Sequence, residues 1–322
     1  MARDLKVLLR ALVSSQTPEA EKQALIEEQL ALIAKGHSEL TSLVEQFSHL
    51  STPYTLPQQV AACGILVKCL NYHSQKALLA VLMGHSYAAL REAIYAQLAS
   101  EGEGGLRFLK EVYGELKKKE RDNEIESLIN HLGRATAKEG AASLLINIIA
   151  SDPYGIVGYH VSNALSELAP SVSSVLVNAL SKAVPGSNIG NCLREVLTLN
   201  PRPHMSALSK SILRKPQAET ITKSEPARSL LSSAMSLFRS SSTNQTKSLG
   251  EGEDYTRENT ILVLGALNTR RMHALKLLTS ELIDEDHKLR EMVALSLEAQ
   301  LNLDATSSML VPRPKPAMQM DN

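Results

Sequence analysis

Aromatic side chains are scarce in this chain: it has no tryptophan, three phenylalanines and eight tyrosines among 322 residues. A groove that holds nucleic-acid bases works largely by stacking them on aromatic rings, so this composition disfavours that class of partner. Charge of one sign is also missing. Thirty-four Lys+Arg balance thirty-four Asp+Glu, which leaves no global field to gather a polyanion. The three cysteines, Cys63, Cys69 and Cys192, are too few and too scattered for a disulfide framework, and they fit a reducing compartment. No apolar run approaches the ~18 residues of a membrane span. The N-terminal MARDLKVLLRALVSS is interrupted by Asp4, Lys6 and Arg10, so it does not read as a signal h-region. The expectation from these absences is a soluble, cytoplasmic protein. No nucleotide loop, metal-ligand spacing or nucleophile elbow is found, so the sequence predicts no catalytic residue, no metal, no cofactor and no enzyme.

What is present is helix-forming apolar mass. Hydrophobic residues make up 43% of the chain, chiefly Leu, Ala, Val and Ile, and no long alternating Val/Ile/Thr segment reads as a strand. An all-α fold follows. In Asp286–Leu297, DHKLREMVALSL, apolar residues return at Leu289, Val293 and Leu297, the i, i+4, i+8 stripe of a helix buried along one side. Similar helices place a leucine at Leu98, Leu132, Leu165, Leu197, Leu264 and Leu297. Their spacings are 34, 33, 32, 67 and 33, and a fixed period of this size marks a repeat array.

Helices are expected in pairs: Ser74–Gly84 with Tyr87–Ala99, Gly105–Lys119 with Asp122–Arg134, Thr136–Ala150 with Tyr154–Leu168, Ser171–Val184 with Ser187–Leu199, and Arg270–Asp284 with Asp286–Leu301. Upstream lie a helix striped by Leu5, Leu8, Leu9 and Leu12, one from Thr17-Pro18-Glu19 to Gly36, one capped by Ser38, and one from about Gln58 to Leu70. Thr136-x-x-Glu139 reads as a capping box. Glu124 breaks one apolar stripe, and Thr256 and Thr260 break another.

Paired helices, an acid at the turn inside a unit (Asp152, Asp254, Asp286) and Leu-Arg or Thr-Arg opening the second helix (Leu90-Arg91, Thr256-Arg257, Leu289-Arg290) resemble HEAT repeats, in particular the short-period bacterial kind. The tetratricopeptide and ankyrin signatures are absent. The resemblance covers about Tyr87–Leu301. It implies a right-handed α-solenoid of helical hairpins with an N-terminal helical cap, in which each arginine reaches a neighbouring turn's acid and second helices line the inner face. The expected organisation is N-terminal helices over 1–72, repeats over 73–215, a basic Ser/Thr-rich insert over 216–253, repeats over 254–303 and a disordered tail over 304–322.

The insert interrupts the period. Pro203–Lys215 reads as a first helix whose partner appears only at Asp254. Residues 200–249 hold eight Lys/Arg against two Glu, and Pro226–Arg239 aligns Leu230, Leu231, Met235 and Phe238 on one helical face. That segment reads as a degenerate second helix, as an element that folds onto the array or a partner, or as a membrane-surface helix. The last reading is weakened by its serine-rich polar face.

Along the second helices, the residue two places after the first stripe position is Glu92, Glu126, Tyr159, Asn191, Glu258 and Glu291. One reading is that each acid pairs with a neighbouring arginine. The other is a groove for a basic partner, including the chain's own 200–249. Tyr159, His160 and Asn163 form a further contact patch. Cys69 and His73 lie one turn apart, but Cys63 and Cys69 read as small buried hydrophobes. Lys117–Lys119 with Arg121 reads as a solvated charge run at a helix end, and Gly102-x-Gly104-Gly105 as a helix–helix turn.

The function expected is a non-catalytic protein–protein interaction scaffold or adaptor with protein partners. The alternatives are an enzyme or accessory on a HEAT-like fold, of chromophore-lyase or DNA-glycosylase type, and a membrane-associated adaptor docking through 226–239. Nucleic acid is disfavoured by the balanced charge and the acidic row.

Overall fold

The computed structural model describes residues 4–36, 39–49, 52–152, 157–199, 204–212, 255–267, 274, 276–279 and 287–310. Every regular element among them is a helix. In chain order these are α1 (Leu5–Val13), α2 (Glu19–Ala34), α3 (Leu40–Gln46), α4 (Leu56–Cys69), α5 (Tyr72–Met83), α6 (Ala88–Ser100), α7 (Glu103–Lys118) and α8 (Asp122–Leu132). They continue with α9 (Lys138–Ala150), α10 (Gly158–Leu168), a 3-10 turn (Ala169–Ser171), α11 (Ser173–Lys182), α12 (Asn188–Leu199), α13 (Met205–Ile212), α14 (Thr256–Gly265) and α15 (His287–Leu310).

The period-3.6 stripes account for the core. Leu90, Ile94 and Leu98 are fully buried, as are Val161 and Leu165 of α10 and Ile189, Leu193 and Leu197 of α12. In α15 the stripe turns: Leu289 and Val293 are buried, but Ser296 takes the third buried place and Leu297 is half-exposed. The reason is a close helix approach, because a Cβ at Gly265 of α14 would lie 2.7 Å from that of Ser296. A small residue must sit opposite the glycine. Gly105 is fixed more severely, since a Cβ there would fall 1.9 Å from the Leu98 carbonyl oxygen.

Several ends differ from the sequence reading. Pro57 does not precede its helix but lies inside the first turn of α4, where a missing N–H costs nothing, and Thr55 and Gln58 form the capping box. At α2 the cap position is Pro18 and no side chain caps the helix, so Thr17 has no such role. The Thr136 hydroxyl donates to the Ser100 carbonyl, and α9 begins two residues later, at Lys138. Helix α15 continues through Leu310, past the expected end at Leu301.

The chain divides into two compact units, residues 1–148 with 159–171 and residues 149–158 with 172–322. In the first, α3, α5 and α7 stack as one layer and α4, α6 and α8 as another, with α1 and α2 against α4. In the second, α11 stacks on α13, α12 on α14 and α14 on α15, and α13 packs against α14. The first helix read at 203–215 therefore finds its partner in α14, across the long interval expected.

The repeat is also written in hydrogen bonds. Helices end with carbonyls that lack intrahelical partners, and the next unit supplies donors. Asn71 reaches Ile33 O, Arg121 reaches Leu82 O, Thr136 reaches Ser100 O and Asn188 reaches Asp152 O, at separations of 38, 39, 36 and 36 residues. In the second unit Asn259 Nδ2 donates to Leu180 O and Ala183 O, 79 and 76 residues back, about two periods. The packing is that of a helical repeat.

Candidate interaction face

In the first unit, α6, α8 and α10 present an open polar hollow lined by Glu92, Asn130, His131, Arg134, Asn163 and Glu167. Each helix buries its stripe in the core, so the residues between stripe positions face outward. Asn130 and Asn163 occupy equivalent helix positions, 33 residues apart, and both are exposed.

Side chains join the three helices across this face. The Glu92 carboxylate accepts from the Ser127 hydroxyl and meets His131 Nε2 at 2.8 Å. One unit on, Glu126 meets His160 Nε2 at 3.4 Å. Arg134 Nε lies 3.4 Å from Glu167. Glu92 and Glu126 thus pair with histidines of the following helix, which for these two of the row's four acids corrects the reading in which each pairs with an arginine. Partial burial pushes the Glu92 carboxyl up, but the hydrogen bonds from Ser127 and His131 and the charges of His131 and Arg91 outweigh it and hold the group below the usual glutamate value.

A half-buried charge knot joins α6 to α8. Arg121 Nη2 pairs with Glu124 at 2.6 Å, Arg91 lies 3.6 Å from the same oxygen, and Arg121 Nη1 donates to Leu82 O. Glu124 broke the apolar stripe in the sequence, and the two guanidinium groups are the reason an acid is held there. Burial raises its pKa, and the Arg121 hydrogen bond together with the Arg121 and Arg91 charges lowers it further than burial raises it. The expected arginine-to-acid contact exists at Arg91. Arg121, in contrast, is no solvated end charge, because 19% of its side chain is exposed and it is bonded on both sides. Tyr95 is wholly buried in this region, its ring tilted against His131 with centroids 6.2 Å apart.

The predicted site residues divide accordingly. Glu92 and Asn163 line the hollow. Glu126 and His160 form the second rung beside it, and Tyr159 is 70% exposed with its ring edge-on to His160. In the second unit Asn191 is exposed and accepts from Arg194, while Glu258 and Glu291 are half-buried. Leu230, Leu231, Met235 and Phe238 lie outside the described residues, as does the rest of the 216–253 insert. Asn130, His131, Arg134 and Glu167 were missed. Their signal was the 33-residue recurrence of Asn130 and Asn163.

Nothing among the described residues groups three potential metal ligands. Cys63 is buried, and desolvation pushes its thiol up to about 12 against a smaller backbone hydrogen-bond effect, so it is inert as a nucleophile at neutral pH. No described helix is long and apolar enough to cross a membrane.

No family model matches the chain, and no curated protein matches it. Among solved structures, the crystal structure of an engineered protein from the Northeast Structural Genomics Consortium is similar at 14% identity, covering 81% of this chain and 97% of that one, with a TM-score of 0.24. A likeness that low carries no argument, and the fold statement rests on the packing itself: an all-helical, repeat-like protein.

Proposed function

We propose that this protein is a non-catalytic scaffold or adaptor of HEAT-like, α-solenoid type, which takes a protein partner on the second-helix face α6–α8–α10. The observation that carries the reading is the hollow from Glu92 to Glu167, to which three successive second helices contribute exposed polar side chains. A face assembled from several repeats offers contacts spread along one direction, which suits an extended partner better than a compact small molecule. Its acids, amides and exposed Tyr159 fit a partner bearing cationic and backbone hydrogen-bonding groups.

The test is site-specific photocrosslinking, with the photoreactive residue placed at Asn130 or, as a control, at the exposed Lys110 of α7. The expected result is a protein crosslinked from position 130 and not from 110, lost when Asn163→Ala and Glu167→Ala are combined. Identical products at both positions would sink the proposal.

A further inference from the structure

Two carboxylates of the face are held by imidazoles rather than by permanently charged groups. Histidine is the side chain whose ordinary titration falls between about pH 5 and 8. Glu92 with His131 and Glu126 with His160 are the same construction repeated: an acid two places into the stripe of one second helix, and a histidine from the next second helix. The second acid leaves the helix that supplied the first histidine, so the rungs run in series through α6, α8 and α10.

We infer that this face is a proton-controlled switch, in which His131 and His160 occupy Glu92 and Glu126 when charged and leave both carboxylates to a cationic partner when neutral. The inference rests on the proposed role of the face in binding a partner, and it adds the partner's charge and the regulation. The charged and titratable groups around the rungs are Arg91 and Tyr95 from α6, Arg134 from the turn after α8 and Glu167 from α10, with Glu124 paired to Arg121 and Arg91. Arginines and ordinary carboxylates keep their charge over this interval. The histidines therefore set the balance: the face around Glu92 and Glu126 is more negative by two charges with both imidazoles neutral than with both protonated. The lowered Glu92 pKa agrees with an acid already engaged by donors.

A fluorescent hexalysine peptide is a suitable probe, since its own charge is constant well below the lysine pKa of about 10.4. Its affinity for the full chain is measured at about pH 5.5 and about pH 7.5, on either side of the histidine range. The expected result is a gain of about fivefold at the higher pH, the size two exposed ion pairs supply. His131→Gln with His160→Gln keeps a neutral donor at each position and is expected to bind equally at both pH values, at the tighter level. Glu92→Gln with Glu126→Gln is expected to lose the gain. Binding that responds to the glutamate pair but not to pH or to the histidine pair overturns the switch and leaves the cationic-partner reading standing. No binding at either pH overturns both.

Discussion

Two junctions, one in each unit, fasten a helix pair to its neighbour with different chemistry. In the first, the Leu82 carbonyl at the end of α5 is met by a guanidinium that also holds Glu124, itself approached by Arg91. In the second, the carbonyls of Leu180 and Ala183 at the end of α11 share one carboxamide, Asn259, buried completely and bonded to both at 2.8 Å. The first solution is half-buried and ionic, the second buried and neutral. A neutral amide requires no charge desolvation and is indifferent to salt, whereas an ion pair near the surface weakens as salt screens it. One fold period therefore accommodates two fasteners with opposite sensitivities, which is consistent with repeats whose stability is a sum of local interfaces.

The largest effect is expected of Asn259→Ala, which removes the amide donor from both carbonyls; Leu180 O keeps the Ala183 N–H, so Ala183 O is the one stripped of its donor. One unsatisfied buried group costs about 1–3 kcal/mol, so a loss of about 2 kcal/mol is expected in the second unit. Hydrogen exchange should show it as lost protection in α11 and α14, and little change in α6 and α8. Uniform loss over both units would show that the two are not separately fastened.

Arg121→Met is the matching change in the first unit. It removes one donor from a half-buried carbonyl and leaves Glu124 with Arg91, so the expected loss is about 1–2 kcal/mol. Roughly 1 M salt, where the screening length is about 3 Å, should shrink the difference between variant and parent. The same salt should leave the Asn259→Ala difference in place. Equal salt responses would remove the distinction between ionic and neutral fasteners.

Acid provides a third, smaller contrast. His204 is buried with Nδ1 2.8 Å from the Ser173 hydroxyl, and burial holds its pKa below the usual histidine value. A lowered histidine pKa means the unfolded chain binds the proton more readily. Its contribution is complete above about pH 6.5, the unfolded value, and is lost as pH falls through that value toward the folded one. Protection at the α11–α13 contact should decline over that window, and His204→Asn should flatten the decline.

The sequence made the helices and their stripes legible because burial on one side imposes a 3.6-residue period whatever the neighbours are. The same rule explains what escaped it. Asn259 and Thr260 sit in the core of α14, yet a stripe reading assigns polar residues to the surface. It cannot see that the end of a helix 76 to 79 residues earlier needs a donor. Arg121 was assigned to solvent for the same reason. The Glu row was visible, since Glu92 and Glu126 recur at one position. Their partners were not, because His131 and His160 occupy different places in their own stripes and only the stacking of α6, α8 and α10 brings them opposite the acids. Tertiary neighbours, not local periodicity, set which polar residues act.

The smallest expected effect lies on the face itself, at Glu92. Its carboxyl titrates below the usual value in the folded chain because donors from Ser127 and His131 and the nearby positive charges outweigh partial burial. The unfolded reference is about 4.3. A depressed carboxylate contributes stability that is complete above the unfolded value and is lost as pH falls through the folded one. This loss therefore begins below about pH 4.3, well under the His204 window. Half of the Glu92 side chain is exposed, 51%, so solvent screening limits the term to a few tenths of a kcal/mol. Glu92→Gln should remove that slope from the exchange rates of α6 and α8 and leave the His204-linked decline in α11 and α13 untouched. If the variant instead altered the decline near pH 6.5, acid would be acting on one shared transition rather than on two separately fastened units.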